Sequence, residues 1–362
     1  MGNSPQVCIH LNNIRHNFNV ATQLAPGVKI MAVVKANAYG HGAVQICNNL
    51  VDATGFAVAR VTEGISLRCA GIGKPIYVFE GFLDESEMRA CRKNKLIPFV
   101  HASYQLDMLD SELPVWIKVN TGMNRLGFTP EQITLLQETI RQKNIVGVAS
   151  HFANADCESN PKNKSQVQQF HQAVDTLALN VELSLANSDC IFTMSQNHLD
   201  WIRPGIMLYG SSTNTQTDNR LKHCMTLSAP TIAINVLKKG DAIGYGGDWR
   251  ATKDCRVAVV GIGYADGYPR EMPEGTPILV KGMRRRLVGR ISMDMLFVEL
   301  EWDDELSPGE HVTLWGEDLS IDEIAACANS IAYTLMTGLT ERVERFYTLD
   351  STLDNILGSD IG

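Results

Sequence analysis

A lysine closes a short apolar run in Val33-Val34-Lys35-Ala36-Asn37-Ala38-Tyr39-Gly40-His41-Gly42 and is followed at once by a glycine-punctuated turn. A lysine leaving a buried β-branched strand is partly desolvated, which lowers its pKa and frees its lone pair to attack a carbonyl. Tyr39, four residues on, carries a hydroxyl able to reach an anionic group held near that amine. An isolated lysine in this setting is ordinarily a solvated residue closing a strand. Lys35 is not isolated: Arg60, Lys118, Asn120, His151, Asn187, Ser188 and Arg203 stand at the ends of further apolar runs. One polar residue at a strand end marks where the strand reaches water. A series of them on successive strands describes a ring of nitrogen bases and hydroxyls.

The runs that must position this ring are Ile30 to Val34, Gly55 to Ala59, Ile76 to Phe79, Ile97 to Val100, Val115 to Val119, Val146 to Ser150, Leu183 to Ala186 and Ile202 to Leu208, eight in all. Their near-continuous hydrophobicity suits strands covered on both faces, as in a parallel sheet. The intervening segments read as helices over Ala43 to Leu50, Thr62 to Ala70, Glu85 to Lys93 and Pro130 to Lys143, the last with Thr129 as cap and proline in its first turn. Eight such units predict an α/β (β/α)8 barrel, whose functional groups cluster past the carboxyl ends of the strands. An open doubly wound sheet is the alternative, but no Gly-x-Gly-x-x-Gly follows the first strand.

After the polar stretch Ser211 to Asn219 the pattern changes. Thr231 to Leu237, Arg256 to Val260, Pro277 to Val280, Met295 to Leu300 and His311 to Leu314 are separated by Gly-Asp, Pro-Glu-Gly and Ser-Pro-Gly-Glu turns, with no helix-length gaps. The expectation is a barrel over residues 1–225 and a mostly antiparallel β domain over 226–362, with a helix from Ile321 to Ala328 capped by Ser320. The run Lys281 to Arg286 reads as a solvated turn between two strands.

A chain of 362 residues, 44% hydrophobic, can bury a large core. A net charge of -8 gives no basic footprint for nucleic acid. The nine cysteines are scattered singly, without a Cys-x-x-Cys pair, which suits a reducing compartment and argues against structural zinc. Met1-Gly2-Asn3-Ser4-Pro5-Gln6 lacks a basic segment followed by an apolar one, and no window approaches about 18 uninterrupted apolar residues, so a cytoplasmic location without membrane association is expected.

The motifs, in order and spacing, resemble the alanine racemases, pyridoxal-phosphate enzymes built from a (β/α)8 barrel and a carboxy-terminal β domain. The resemblance covers nearly the whole chain. It is carried by Ala32 to Gly42, by Lys118-Val119-Asn120-Thr121-Gly122-Met123-Asn124-Arg125-Leu126-Gly127, Ser150-His151-Phe152-Ala153, Leu185-Ala186-Asn187-Ser188 and Arg203-Pro204-Gly205-Ile206-Met207-Leu208-Tyr209-Gly210, and by Gly244-Tyr245-Gly246, Gly261 to Gly267 and Gly289-Arg290-Ile291-Ser292-Met293-Asp294.

The resemblance implies that Lys35 holds pyridoxal phosphate as a Schiff base, with Tyr39, Ser188, the backbone at Gly205 and Ile206, and Tyr347 binding the phosphate. Such a dianion needs several aligned donors, and glycine lets backbone approach. Arg203 would face the pyridine nitrogen; a guanidinium cannot accept a proton and so keeps that nitrogen unprotonated, a weaker electron sink that disfavours side reactions. Arg125 would lie beside the substrate carboxylate, oriented by Lys118, a position often carbamylated in the family. Racemisation removes a proton from one face of Cα and returns one on the other. Lys35 would serve one face and Tyr245, from the β domain of a partner subunit, the other, activated along a line from Tyr245 to His151 to Arg203. Met293, with its backbone near the substrate carboxylate, and Asp294 would also come from the partner, and Tyr264, Asp266 and Tyr347 would line the access channel. The implied assembly is a homodimer with shared sites acting on alanine. A relative acting on serine or basic amino acids, a fold-related decarboxylase and a non-catalytic pyridoxal-phosphate carrier are the competing readings. Decarboxylases favour an acidic partner for the pyridine nitrogen, and carriers are typically the barrel alone.

Three positions depart from the family pattern. Asn120 stands where aspartate is common, Thr337 where cysteine is frequent, and Glu344 where proline is usual in the loop expected to present Tyr347. Without that proline the loop is expected to be less rigid.

Overall fold

The computed structural model describes residues 3–212 and 220–349. Residues 213–219 of the expected polar stretch lie outside the described residues. Two compact units divide the chain: the described residues of Arg15–Leu208 and Ser212–Arg220 form one, those of Met1–Ile14, Tyr209–Ser211 and Leu221–Gly362 the other.

The strands in chain order begin with β1 (Gln6–His10), which belongs to the second unit. The first unit contains β2 (Lys29–Val33), β3 (Gly55–Val58), β4 (Ile76–Val78), β5 (Leu96–Val100), β6 (Val115–Lys118), β7 (Ile145–Ala149), β8 (Glu182–Ser184) and β9 (Trp201–Ile202). They run parallel in the order β8-β7-β6-β5-β4-β3-β2-β9. The Asp200 N–H donates to the Leu183 carbonyl at 3.2 Å and the Arg203 N–H to the Ala186 carbonyl at 2.9 Å, which joins the two ends into a closed barrel. The eight apolar runs are therefore the eight strands. β3 and β4 are buried along their whole length, as burial on both faces requires. Trp116 fills the interior, stacked on Phe99 at 5.5 Å and edge-on to Tyr77 and Trp201 at 6.0 and 6.2 Å, beside Gly147, where any Cβ would strike its indole.

The eighth run departs from expectation. Strand pairing stops at Ile202, and Ile206–Tyr209 form a 3-10 turn. Pro204 has no N–H to offer a ladder, and the Gly205 N–H turns to the Ser188 hydroxyl instead. The helices follow their signals closely. Pro130–Arg141 starts with a reciprocal capping box between Thr129 and Gln132, and Glu85–Lys93 with the Asp84 carboxylate on the Glu87 N–H.

The second unit contains β10 (Met225–Leu237), β11 (Ala242–Ile243), β12 (Trp249–Arg250), β13 (Cys255–Val260), β14 (Pro277–Val280), β15 (Met283–Val288), β16 (Leu296–Leu300), β17 (His311–Trp315) and β18 (Glu344–Thr348). β10, β13, β16, β15, β14 and β17 pair antiparallel in a closed circuit, because the long β10 pairs with β17 through its first half and with β13 through its second. The helix expected near its end is Ile321–Cys327, capped by the Ser320 hydroxyl.

Three expectations are corrected in this unit. Gln6–His10, placed by sequence with the barrel, pairs antiparallel with β10 and parallel with β18. Within Lys281 to Arg286 only Lys281 and Gly282 turn, both at positive φ as a two-residue hairpin demands; Arg284, Arg285 and Arg286 lie in β15 and pair with Glu323, Asp304 and Glu299. Tyr347 sits in β18 rather than a loop, and the Glu344 N–H donates to the Pro5 carbonyl at 3.1 Å, a hydrogen bond that proline at 344 could not make. Among the described residues no helix is long and apolar enough to cross a membrane.

Candidate active site

Lys35 stands two residues past the end of β2 and opens an unusual turn. Ala36, Asn37, Ala38 and Tyr39 all have φ between 51 and 54°, a left-handed helical turn built without glycine until Gly40 closes it. Each non-glycine residue there costs about 1–2 kcal/mol, so surrounding contacts must over-determine it. The Glu63 carboxylate supplies one, accepting from Ala36 N–H at 2.7 Å and from Ala59 and Arg60 N–H at 2.7 and 3.0 Å. The Asn37 side chain accepts from Ala43 N–H at 2.8 Å. The result turns Tyr39 inward to 6% exposure, while burial, and after it the Arg125 guanidinium, lowers the Lys35 amine below the ordinary lysine value against the opposing carboxylates of Glu80 and Glu63.

The strand ends on either side of this turn supply donors. Ser188, 6% exposed, opens the short helix Ser188–Thr193, whose cap is Asn187. Its hydroxyl accepts from Gly205 N–H at 2.9 Å. A Cβ on Gly205 would lie 2.8 Å from the Tyr39 hydroxyl, so the glycine is what leaves this cradle open. Ile206 follows at the start of the 3-10 turn. Burial raises the Tyr39 pKa, so its phenol remains a proton donor.

Arg203 lies deep on the other side, 5% exposed. Its fork donates to the Ser184 hydroxyl, to the Ser150 carbonyl at 2.6 Å and to the Leu185 carbonyl at 3.2 Å, and one nitrogen lies 3.4 Å from His151 Nδ1. No carboxylate is among these partners. Burial lowers its pKa to about 10, which still leaves it charged at neutral pH. Facing a donor, His151 Nδ1 acts as acceptor. Burial first, then Lys118, Arg203, Arg125 and Lys35, hold the imidazole well below its ordinary pKa, so it is neutral. The Lys118 amine, between Arg203 and Arg125, is likewise driven well below the usual lysine range, chiefly by burial. Arg125 is carried by the loop after β6, which Asn120 shapes: its side-chain oxygen accepts from Gly122 and Asn124 N–H, each at 3.0 Å. An amide oxygen does there what a carboxylate would, which accounts for asparagine at 120.

Thus one barrel rim brings together Lys35, Tyr39, Lys118, Arg125, His151, Ser188, Arg203, Gly205 and Ile206. Arg60 does not join them; it pairs with Glu80 at 3.6 Å in solvent. In the β unit, Tyr245 begins a turn between β11 and β12 and is 72% exposed. The Tyr264 and Ala265 N–H groups donate to the Ser292 and Met293 carbonyls at 3.2 and 3.0 Å, and Arg342 bridges the Asp266 and Asp294 carboxylates at 3.0 and 2.7 Å. Tyr264, Asp266, Met293 and Asp294 therefore form one platform. Tyr347 lies elsewhere in the unit, opposite Ile9.

Glu63, Gln166 and Arg342 went unnoticed in the sequence. Glu63 had a signal: it occupies the third position of helix Val61–Cys69, where a carboxylate serves N-terminal amides. The other two sit in polar helical and loop surroundings that read as solvated.

The amino-terminal domain model of alanine racemases matches residues 9–213, and the carboxy-terminal domain model residues 224–347. The chain belongs to the alanine racemase family. It is 42% identical to the alanine racemase of Nitrosomonas eutropha, over 91% of this chain and 95% of that one, and 40% identical to that of Vibrio vulnificus, over 94% and 98%. Among solved structures, the biosynthetic alanine racemase from Pseudomonas aeruginosa superposes with a TM-score of 0.90 at 38% identity, covering 96% of this chain and all of that one. The alanine racemase from Bartonella henselae, solved with covalently bound pyridoxal phosphate, has a TM-score of 0.89 at 28% identity, covering 95% and 99%. The residues at the barrel rim fit such a group. A desolvated amine, a hydroxyl and amide cradle kept open by one glycine, and a fixed cation without a carboxylate partner match an aldehyde, a phosphate and an unprotonated pyridine nitrogen.

Proposed function

We propose that this chain is a pyridoxal 5'-phosphate-dependent racemase that interconverts L- and D-alanine with two bases, supplying D-alanine for peptidoglycan or opening it to catabolism. The observation that carries this reading is the barrel rim itself, where the depressed Lys35 amine, the Tyr39–Ser188–Gly205 cradle and the carboxylate-free Arg203 converge. Pyridoxal phosphate, when bound, supplies the electron-withdrawing ring that weakens the substrate Cα–H bond. Lys35 holds it covalently and moves the proton on one face. Tyr39, Ser188 and the backbone at Gly205 and Ile206 receive the phosphate, joined by Tyr347. Arg203 would face the pyridine nitrogen, where a guanidinium can donate a hydrogen bond but cannot take a proton. Arg125 receives the substrate carboxylate, together with the Met293 backbone.

Tyr245 of a second copy is the base on the opposite face, with its proton balanced by neutral His151 against Arg203. Its 72% exposure, and the 52% exposure of Met293, support a homodimer in which each site takes residues from two subunits. Tyr264, Asp266 and Asp294 shape the approach. Lys118, its pKa lowered first by burial and then by the charges of Arg203 and Arg125, is the amine that would add carbon dioxide, and the resulting carbamate would orient Arg125. Cytoplasmic residence accords with nine cysteines, none of them joined in a disulfide among the described residues.

Incubation with L-alanine and pyridoxal phosphate in deuterated water, following optical rotation and deuterium at Cα, tests the reading. Rotation decaying to zero with deuterium in both enantiomers is expected. Cofactor bound to Lys35 without exchange from alanine, serine or lysine would leave only a carrier.

A further inference from the structure

Helix Pro161–Leu177 brings Gln166, 3% exposed, against the barrel rim. Its Nε2 donates to the His151 carbonyl at 2.9 Å and to Thr121 Oγ1 at 3.0 Å, while Oε1 accepts the Ala153 N–H at 2.9 Å. The amide has only one workable orientation, since reversal would set oxygen against a carbonyl and NH2 against an N–H. Having accepted from Gln166, Thr121 gives its own proton to Ser150 Oγ at 2.8 Å, and Ser150 Oγ passes its proton to the Val119 carbonyl at 2.8 Å. The Ser150 carbonyl is the one that Arg203 grips at 2.6 Å.

One side chain therefore ties together three segments of the site. It holds the main chain of His151 to Ala153, the start of the loop that carries Arg125, and, through Ser150, the seat of Arg203. Packing alone does not call for an amide here. The same helix already buries Phe170, Ala173 and Leu177, so the apolar face does not itself ask for an amide; the His151 carbonyl and the Ala153 N–H do, because an aliphatic side chain would leave both without these partners.

We propose that Gln166 is a positioning residue for proton transfer on the Tyr245 face. It fixes His151 beside Arg203 and Arg125 toward the substrate carboxylate without touching either reactant. This rests on the two-base reading above. Gln166→Met keeps the shape and removes all three hydrogen bonds. Expected is a fall in kcat/KM of about 10- to 100-fold, as for misplacement of a positioning group. The substrate isotope effects should also diverge. With α-deuterated alanine of one hand the effect grows toward its full value, and with the other hand it shrinks, because only one of the two proton transfers becomes slow.

A second readout needs neither cofactor nor substrate. In cofactor-free protein with 13C-labelled histidine, the His151 resonance, assigned by its loss in His151→Gln, moves in Gln166→Met, while that of His223, in the β unit, stays in place. Should Gln166→Met fail to fold, Gln166→Asn keeps a neutral amide that is one methylene too short to span the three partners, and is read the same way. An unmoved His151 resonance with unchanged isotope effects would overturn the inference, leaving Gln166 a space-filling residue. If the parent protein exchanges no α-proton, the racemase reading fails, and the histidine spectrum alone decides whether Gln166 positions His151.

Discussion

His151 is a neutral base surrounded by cations, and that arrangement has a consequence for stability. Unfolded, its pKa is the ordinary 6.5; folded, burial and the charges of Lys118, Arg203, Arg125 and Lys35 place it well below. Between those two values the unfolded chain binds a proton that the fold refuses. Stability therefore has its full value above pH 6.5 and falls as pH drops through that window, by up to about 1.4 kcal/mol per pH unit for each such histidine. His101, His198 and His223 are lowered as well, chiefly by burial, and add to the same slope. Urea titrations of cofactor-free protein between about pH 7.5 and 5 check this. The parent loses stability on acidification, and His151→Gln loses less, by about one proton's share of the slope. Parallel curves for the two proteins would show that His151 is not held neutral by the fold.

The elements that present these residues differ in how plainly the chain announces them. Gly205 is the simplest case: a methyl there meets the Tyr39 hydroxyl at 2.8 Å. Gly205→Ala should weaken pyridoxal phosphate binding about 10- to 100-fold, some 1.4–2.8 kcal/mol. Combined with Tyr39→Phe, which removes the struck atom, the two losses should add to less than their sum in a fluorescence titration. The left-handed turn gives a second test. At exposed Ala36, φ 51°, glycine relieves strain worth up to about 1 kcal/mol and valine adds more than that, so melting temperatures should rank Gly above Ala above Val. The barrel was legible because each strand lies in a bounded apolar run and helices such as Glu85–Lys93 and Pro130–Arg141 open on the caps Asp84 and Thr129. The turn after Lys35 was legible but its left-handedness was not, because only Asn37 among Ala36-Asn37-Ala38-Tyr39 tolerates positive φ readily and the turn is held by Glu63, 27 residues from Ala36. β1 escaped notice because five residues reveal a strand only through partners more than 200 positions away. Gln166 lies in Ser165-Gln166-Val167-Gln168-Gln169, which reads as a solvated helix face, and only packing shows which glutamine turns inward.

At the scale of the molecule, the proposed chemistry asks for two bases on opposite faces of one carbon, while the barrel rim holds Lys35 among cations and donors. Tyr245 stands on the β unit with most of its surface exposed, as expected of a residue completing a site in another subunit across a two-fold axis. Subunit mixing decides the point. On the two-base proposal Lys35→Ala lacks one base and Tyr245→Phe the other, so each variant alone is expected to be inactive. If sites are shared, a dimer with one subunit of each kind has one site missing both groups and one site fully intact. Random reassortment makes half the dimers mixed, with one good site of two, so the mixture should recover about a quarter of the parental activity per subunit. If each site draws both bases from its own chain, no combination contains an intact site and the mixture stays inactive at every ratio. The recovered activity should also rise with the fraction of mixed dimers and peak at equal proportions, a dependence that contaminating parent enzyme would not produce.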